Sequence, residues 1–206
     1  MQATRTGWLR ALAALGVVSG MLVAGAAAGA PADTAVQAER DDAAREYFTD
    51  SEVIDQNGNK LRFYSDVLQD RVVLINVIFT NCQDACPLMT RLLVRTRDKL
   101  VDAIEEDVWF VSISTDPVRD TPEAMKKFAE AHGADEDRWL FLTGTEENMT
   151  RILKKLRRYN PEISAHSTQM LAGTTRERHE WIPLPAGIQP DAIAMLLRNL
   201  AEPQLQ

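Results

Sequence analysis

VVLINVIFTNCQDACP, residues 72–87, is the stretch that decides the fold. Its apolar half, residues 72–79, has the length and composition of a strand buried on both faces of a sheet. A short polar loop follows with the only two cysteines of the chain, Cys82 and Cys86, and Pro87 precedes a segment with leucines at helical spacing. The stretch therefore predicts a strand, a loop bearing two thiols and a helix in direct succession.

The placement of the two thiols at a helix start favours a reactive or metal-binding role. Proline is tolerated at the first helical position and the residue before it avoids the helical conformation, so we expect Cys86 at or just outside the helix cap and Cys82 in the preceding loop. The positive end of a helix lowers thiol pKa values, and the thiolate is the form that attacks disulfides and binds metals. The alternative is a small structural disulfide or two inert buried cysteines, although structural pairs more often close a longer loop.

The rest of the chain alternates between strand and helix patterns. Residues 47–62 resemble a hairpin that turns at Asn57 and Gly58. Two late strands, residues 168–172 and 179–182, are predicted to join around Gly173 before a closing helix at 190–200. The order of elements predicts an α/β fold with a thioredoxin-like central sheet flanked by helices and an N-terminal hairpin.

The N-terminus has a different composition. Residues 1–30 contain two arginines and then twenty uncharged, mostly apolar residues, a pattern typical of a signal peptide or an N-terminal membrane anchor. Residues 31–44 are small, polar and charged and predict a flexible linker, and residues 45–203 form the domain. We therefore expect the domain in the periplasm or on the exported face of the cytoplasmic membrane, where paired cysteines can be oxidised.

The charge balance of the 206-residue chain excludes some partners. With 23 basic and 30 acidic side chains, the formal net charge is −7. An acidic surface argues against binding to nucleic acid and is compatible with a basic protein partner.

Three histidines are candidates for a third functional group beside the thiols. We expect His132, at a helix end, and His179, in a charged hairpin, to face solvent. His166 lies among small residues before a predicted strand, which in a thioredoxin-like order starts beside the cysteine loop. It is a candidate metal ligand, and the alternative is a histidine that caps the strand by hydrogen bonding.

Two motifs resemble those of the Sco/SenC family. TNCQDACP at residues 80–87 resembles the family's Cys-x-x-x-Cys-Pro motif, and SISTDPVRDTPE at residues 112–123 resembles its second hallmark segment. His166 stands where the family has its copper-binding histidine. The resemblance extends over residues 47–200.

The resemblance implies a thioredoxin-like domain on the outer side of a membrane, with copper bound by Cys82, Cys86 and His166. It implies that Cys82 and Cys86 form a redox-active pair able to close a Cys82–Cys86 disulfide, and that Asp84 between them tunes the site. It also implies delivery of copper to the copper-site subunit of cytochrome c oxidase or another cuproprotein, or maintenance of the oxidase's copper-site cysteines in the reduced state.

Three functions are compatible with these residues to different degrees. Two thiolates and an imidazole suit monovalent copper better than structural zinc, which normally has four protein ligands. A copper metallochaperone is the leading interpretation, and a thiol–disulfide oxidoreductase that uses the cysteine pair without copper is the enzymatic alternative. A peroxide-reducing thiol enzyme is disfavoured because the loop lacks an arginine before Arg91. A pure reductase does not need His166, so this residue discriminates between the first two.

Overall fold

The computed structural model describes residues 32–100, 108–163, 168–176 and 179–202. The strands are β1 (Glu52–Ile54), β2 (Lys60–Arg62), β3 (Val72–Ile78), β4 (Val108–Ser114), β5 (Trp139–Leu142), β6 (Met170–Thr174) and β7 (Glu180–Leu184). The α-helices are α1 (Ala32–Phe48), α2 (Ala85–Arg97), α3 (Pro122–Ala131), α4 (Glu146–Lys155) and α5 (Pro190–Ala201), and Phe63–Leu68 forms a π-helical turn.

The central sheet has five strands in the order β5-β4-β3-β6-β7. Strands β3, β4 and β5 are parallel and are connected through α2 and α3, whereas β6 and β7 are antiparallel additions on the other side of β3. All seven residues of β3 are buried, as expected for a central strand covered on both faces. The predicted thioredoxin-like fold class is confirmed.

The predicted N-terminal hairpin is also present. Strands β1 and β2 pair antiparallel, and Gly58 at the turn has a φ of 83°, a left-handed conformation that glycine adopts without steric cost. The Asp55 carboxylate closes the turn by accepting hydrogen bonds from the backbone N–H groups of Asn57 and Asn59, both at 2.8 Å.

Two apolar layers cover the sheet. One contains α2, α3 and α5, with residues such as Leu93, Phe128 and Leu197 packed on the sheet. The other contains α1, the π-helical turn, the hairpin and α4, with residues such as Phe48 and Ile152. Cys86 belongs to the first layer.

The prediction of a flexible linker over residues 31–44 was wrong, because helix α1 begins at Ala32. Five of the fourteen residues in this segment are alanine, the strongest helix former, and tertiary contacts hold the helix in place. The Tyr64 hydroxyl donates to Asp41 Oδ1 at 3.1 Å, and the Arg45 guanidinium lies over the Tyr64 ring.

The turn predicted at Gly173 was wrong as well. Gly173 lies inside β6, opposite Trp181 of β7, and a β-carbon at this position would lie 2.6 Å from the Glu180 carbonyl oxygen and still closer to the Trp181 ring. The glycine therefore marks a close approach of a side chain to the backbone, which is one of the usual roles of a glycine inside a strand.

The predicted leader, residues 1–30, lies outside the described residues. Among the residues that the structure describes, none of the helices has the length and apolarity required to cross a bilayer.

Candidate functional site

The two cysteines lie where β3 passes into α2. The chain turns after Ile78, and the Cys82 N–H donates to the Phe79 carbonyl at 3.1 Å. Helix α2 begins at Ala85, so that Cys86 is its second residue and Pro87 its third. The expectation that Cys86 lies at or outside the cap was wrong, because proline is tolerated throughout the first turn, where the N–H groups have no intrahelical acceptor.

Cys82 itself accepts a hydrogen bond from the start of this helix. The Cys86 N–H donates to Cys82 Sγ at 3.3 Å. A sulfur that receives backbone N–H groups at a helix N-terminus is stabilised as the thiolate. The loop therefore folds back and brings both cysteines to the same helix end.

The pKa values of the two thiols are shifted in opposite directions. Partial burial raises the pKa of Cys82, but hydrogen bonds from the Cys86 side chain and from the backbone of Cys86, Asp84 and Ala85 outweigh it, so that the pKa lies below its usual value. Cys86 is 2% exposed, and its burial, together with its hydrogen bond to Cys82, raises the pKa of its thiol to about 12. At neutral pH the half-buried Cys82 is thus the nucleophilic sulfur and Cys86 retains its proton.

Both cysteines are free thiols in the structure. The Cys82–Cys86 disulfide stays a prediction. The role expected for Asp84 is also untested: its backbone contributes to the lowered pKa of Cys82, while its side chain is exposed and makes no capping hydrogen bond to α2.

A buried carboxylate, Asp120, anchors the thiol loop to the segment after β4. Asp120 is 1% exposed. Its Oδ1 accepts from the Thr80 N–H at 2.9 Å and from the Thr80 hydroxyl at 2.6 Å, and its Oδ2 accepts from the Ser114 hydroxyl at 2.5 Å. The negative charge of Asp120 also contributes to the raised pKa of Cys86. In the sequence Asp120 stands out only as part of the second motif, because its pairing with Thr80 joins positions that are forty residues apart.

The loop after β4 has its own internal order. Asp116 is buried, its backbone carbonyl accepts from the N–H groups of Arg119 and Asp120, and its Oδ2 lies 2.6 Å from Arg119 Nη1. Thr121 then caps α3 by accepting from the Ala124 N–H, with Pro122 in the first turn. The second motif thus forms a rigid support for the thiol loop.

The structure describes two of the three histidines. His166 lies outside the described residues, and among those that are described no group of three histidine, cysteine or acidic side chains is arranged to hold a metal ion. His132 packs on the Phe128 ring with centroids 4.5 Å apart. The expectation that His179 is exposed was wrong: its side chain is 18% exposed, with Asp41 Oδ1 at 3.9 Å from Nε2, because α1 covers it.

Comparison with known proteins identifies the family. A model of the SCO1/SenC family matches residues 39–175. The chain belongs to the SCO1/SenC family.

Individual relatives of this SCO1/SenC chain agree with that assignment. A SCO1 protein homolog of Bacillus subtilis (strain 168) is 39% identical over 93 residues, which are 45% of this chain and 47% of the relative. A SCO2-like protein of Rickettsia conorii is 32% identical over 108 residues, 52% of this chain and 50% of the relative. The matches therefore span about half the length of these relatives.

Solved structures of the family share the fold. A SCO1/SenC family lipoprotein from Bacillus anthracis str. Ames has a TM-score of 0.61 and 28% identity, covering 74% of this chain and 93% of the other. ScoI of Bradyrhizobium japonicum, solved with copper bound, has a TM-score of 0.60 and 22% identity, covering 72% and 96% of the two chains. At that identity the second likeness speaks for the fold alone.

Proposed function

We propose that this SCO1/SenC protein is a copper-binding metallochaperone. The observation on which the proposal rests is the pair of free thiols at one helix N-terminus, one of them half-buried and acidified, in a member of a family with copper-bound structures. Thiolate ligands favour monovalent copper, which is the cargo here.

The thiols present fit such a cargo. Cys82 offers a sulfur that favours the thiolate form, whereas Cys86, with a pKa of about 12, must release a proton when a metal ion binds. Copper binding is thus coupled to the protonation of Cys86, and oxidation of both thiols to a disulfide removes both ligands.

His166 is the proposed third ligand. Strand β6 runs antiparallel to β3 with Leu171 opposite Ile75, so that the start of β6 and the end of β3 lie at the same edge of the sheet. The four-residue path from Met170 back to His166 extends at most about 14 Å. The topology therefore supports an imidazole within reach of the thiols, and three ligands leave an open position for transfer to an acceptor.

Copper titration of the reduced chain tests the proposal. We expect one Cu(I) per chain in anaerobic competition with a chromophoric chelator, and at least about tenfold weaker binding for His166→Ala, because ligand loss costs no less than the loss of a residue that orients a ligand. His132→Ala, which removes a histidine packed on α3, is the matched control. Equal affinity of the His166→Ala variant and the unchanged chain would contradict the three-ligand site.

The acceptor and the compartment belong to the same proposal. We propose that the protein acts in the periplasm or on the exported face of the cytoplasmic membrane, with residues 1–30 as signal peptide or anchor. Its proposed acceptor is the copper-site subunit of cytochrome c oxidase or another cuproprotein. Leu88, in the first turn of α2, and Val118, in the loop after β4, are 62% and 75% exposed and offer apolar surface to a protein partner.

A thiol–disulfide oxidoreductase is the second candidate, favoured by the unequal thiols. The Cys82 thiolate would attack a partner disulfide and release one partner thiol. Cys86 would then give up its proton and attack the Cys82 sulfur, forming the Cys82–Cys86 disulfide and releasing the second partner thiol. We expect Cys86→Ser to trap a mixed disulfide and Cys82→Ser to trap none. If neither variant forms an adduct with an oxidised copper-site peptide, the reductase function is excluded for that substrate.

A further inference from the structure

A large cavity lies on the face of the sheet opposite the thiols. It measures about 830 Å³ and is bounded by α1, the end of α4 and strands β6 and β7. Its apolar wall consists of Phe48, Leu156, Leu171, Trp181 and Pro183. Four of these pack in the layer that contains α1 and α4, whereas Cys86 belongs to the other layer. The volume lies in the range of ordinary small-molecule pockets.

The rim of this cavity is basic although the chain is acidic. Arg40, Lys155, Arg157 and Arg158 line it together with His179. The chain has a formal net charge of −7, so this is a local concentration of positive charge. Asp41 faces His179 from α1 and is hydrogen-bonded to Tyr64. An apolar wall below a cationic rim favours a ligand with an apolar body and a negative head group.

Arg158 adds a buried hydrogen-bond donor to the residues that line this cavity. Its Nη1 donates to the Arg157 carbonyl at 3.2 Å, but its buried Nε has no hydrogen-bond partner among the described residues. Burial also lowers the pKa of this guanidinium. A buried donor without an acceptor is unfavourable, and because Arg158 lines the cavity, rotation of its side chain toward an anionic group would satisfy this donor.

Arg157 occupies a position where glycine is the usual residue. It follows the C-cap Leu156 of α4 and has a φ of 58°, the left-handed conformation in which a β-carbon is unfavourable. His179, on the other side of the cavity, has a φ of 45°. Strained positions of this kind cluster at ligand-binding sites.

We propose that this cavity binds an amphipathic organic anion. Its carboxylate or sulfonate contacts Arg157 and Arg158, and its aromatic or acyl body lies against Phe48, Leu156 and Trp181. The site is separate from the proposed copper ligands and lies on the other face of the sheet.

Two matched fluorescent probes test the site on the full chain. The anionic probe is 8-anilinonaphthalene-1-sulfonate, and N-phenyl-1-naphthylamine has the same aromatic body without the sulfonate. We expect Arg157→Gly to weaken binding of the sulfonate by about tenfold or more, the usual effect of losing a charged hydrogen bond, and to leave binding of the neutral probe unchanged. Glycine relieves the backbone strain at this position, so the melting temperature of the Arg157→Gly variant should equal or exceed that of the unchanged chain.

Control variants and competing ligands test whether the loss of binding arises at the cavity. Arg157→Lys keeps the charge and should retain most of the affinity, and Lys127→Gln removes an exposed charge on α3 and should change nothing. Dodecanoate should displace the sulfonate probe at an at least about tenfold lower concentration than dodecanol, and inorganic phosphate should not displace it. Equal affinity of the Arg157→Gly variant and the unchanged chain, displacement by phosphate alone, or displacement by an acidic peptide but not by dodecanoate would each overturn the proposal.

Discussion

Four positions along the chain separate two sulfurs with different chemistry. Cys82 is half-buried and receives hydrogen bonds from a helix start, whereas Cys86 is enclosed by the apolar layer of α2, α3 and α5. The first environment stabilises the thiolate and the second the thiol. The loop therefore exposes one sulfur as a reactive thiolate and keeps the other buried as a protonated thiol.

Alkylation measures this asymmetry. In the reduced chain at pH 7.5 we expect iodoacetamide to modify Cys82 at least about tenfold faster than Cys86, because only the thiolate reacts. The Cys82 rate should reach its plateau at a lower pH than that of free cysteine, since its pKa is lowered, while Cys86, with a pKa of about 12, stays protonated through neutral pH. Peptide mass spectrometry gives both rates, and the chain unfolded in urea is the control in which they converge. Equal rates in the folded chain would contradict the assignment.

Asp120 acts at the same scale, as the carboxylate that joins two loops. Asp120→Asn keeps the shape but replaces one acceptor oxygen by a donor opposite a hydroxyl, leaving a buried group unsatisfied. We expect the free energy of unfolding to fall by about 1–3 kcal/mol, measured by urea denaturation. Asp84→Asn removes a carboxylate from the same thiol loop, but from an exposed position, and should change stability by no more than about 0.5 kcal/mol. Similar losses in both variants would show that Asp120 has no special structural role.

At the scale of elements, the packing of β7 on β6 requires a residue without a side chain, Gly173. The Trp181 ring lies over Gly173 and packs on Phe48 of α1, with ring centroids 4.5 Å apart. Any β-carbon at residue 173 would push the ring away from this contact. The pairing of the two strands with α1 thus rests on a glycine that has no unusual φ.

Gly173→Ala tests this contact. We expect a destabilisation of about 1–3 kcal/mol, typical of overpacking in a well-packed layer. Gly144→Ala is the matched control, because its β-carbon would find its nearest neighbours at 3.5 Å, an ordinary van der Waals distance. Thermal unfolding of both variants gives the comparison, and a Gly173→Ala variant as stable as Gly144→Ala would contradict the close approach.

Across the whole molecule, α1 joins the N-terminus to the sheet. Asp41 accepts from the Tyr64 hydroxyl and lies beside His179, so that one residue of α1 contacts both the π-helical turn and the start of β7. Burial and the negative charge of Asp41 raise the pKa of Tyr64, so its hydroxyl stays a donor. The helix is therefore part of the folded unit, while the domain limits 45–203 remain a prediction.

Truncation measures the contribution of α1. A chain that begins at residue 45 loses Asp41 and leaves the fully buried Tyr64 hydroxyl without this acceptor. We expect it to be less stable than a chain that begins at residue 32, by about 1–3 kcal/mol in urea denaturation. Asp41→Ala in the longer chain separates the hydrogen bond from the remaining helix contacts. Identical midpoints for the two truncated chains would mean that residues 32–44 of α1 contribute nothing to stability.

Local patterns were sufficient for much of the fold. The strand β3 and the closing helix α5 were predicted from patterns of neighbouring residues, and each lies within a residue or two of its predicted limits. The predictions of a linker at residues 31–44 and of a turn at Gly173 were wrong because both structures depend on packing against distant segments, which composition alone does not indicate. The same is true of His179, whose burial depends on α1, more than one hundred residues earlier in the chain.

By itself, the sequence determined the order of strands and helices from β1 onward, the family and the position of the two thiols after a buried strand, because each depends on neighbouring residues. Only the tertiary structure decided which thiol is acidic, which carboxylate anchors the loop and where basic side chains meet an apolar wall. Burial and hydrogen bonding between distant segments set these properties, and local sequence does not encode them.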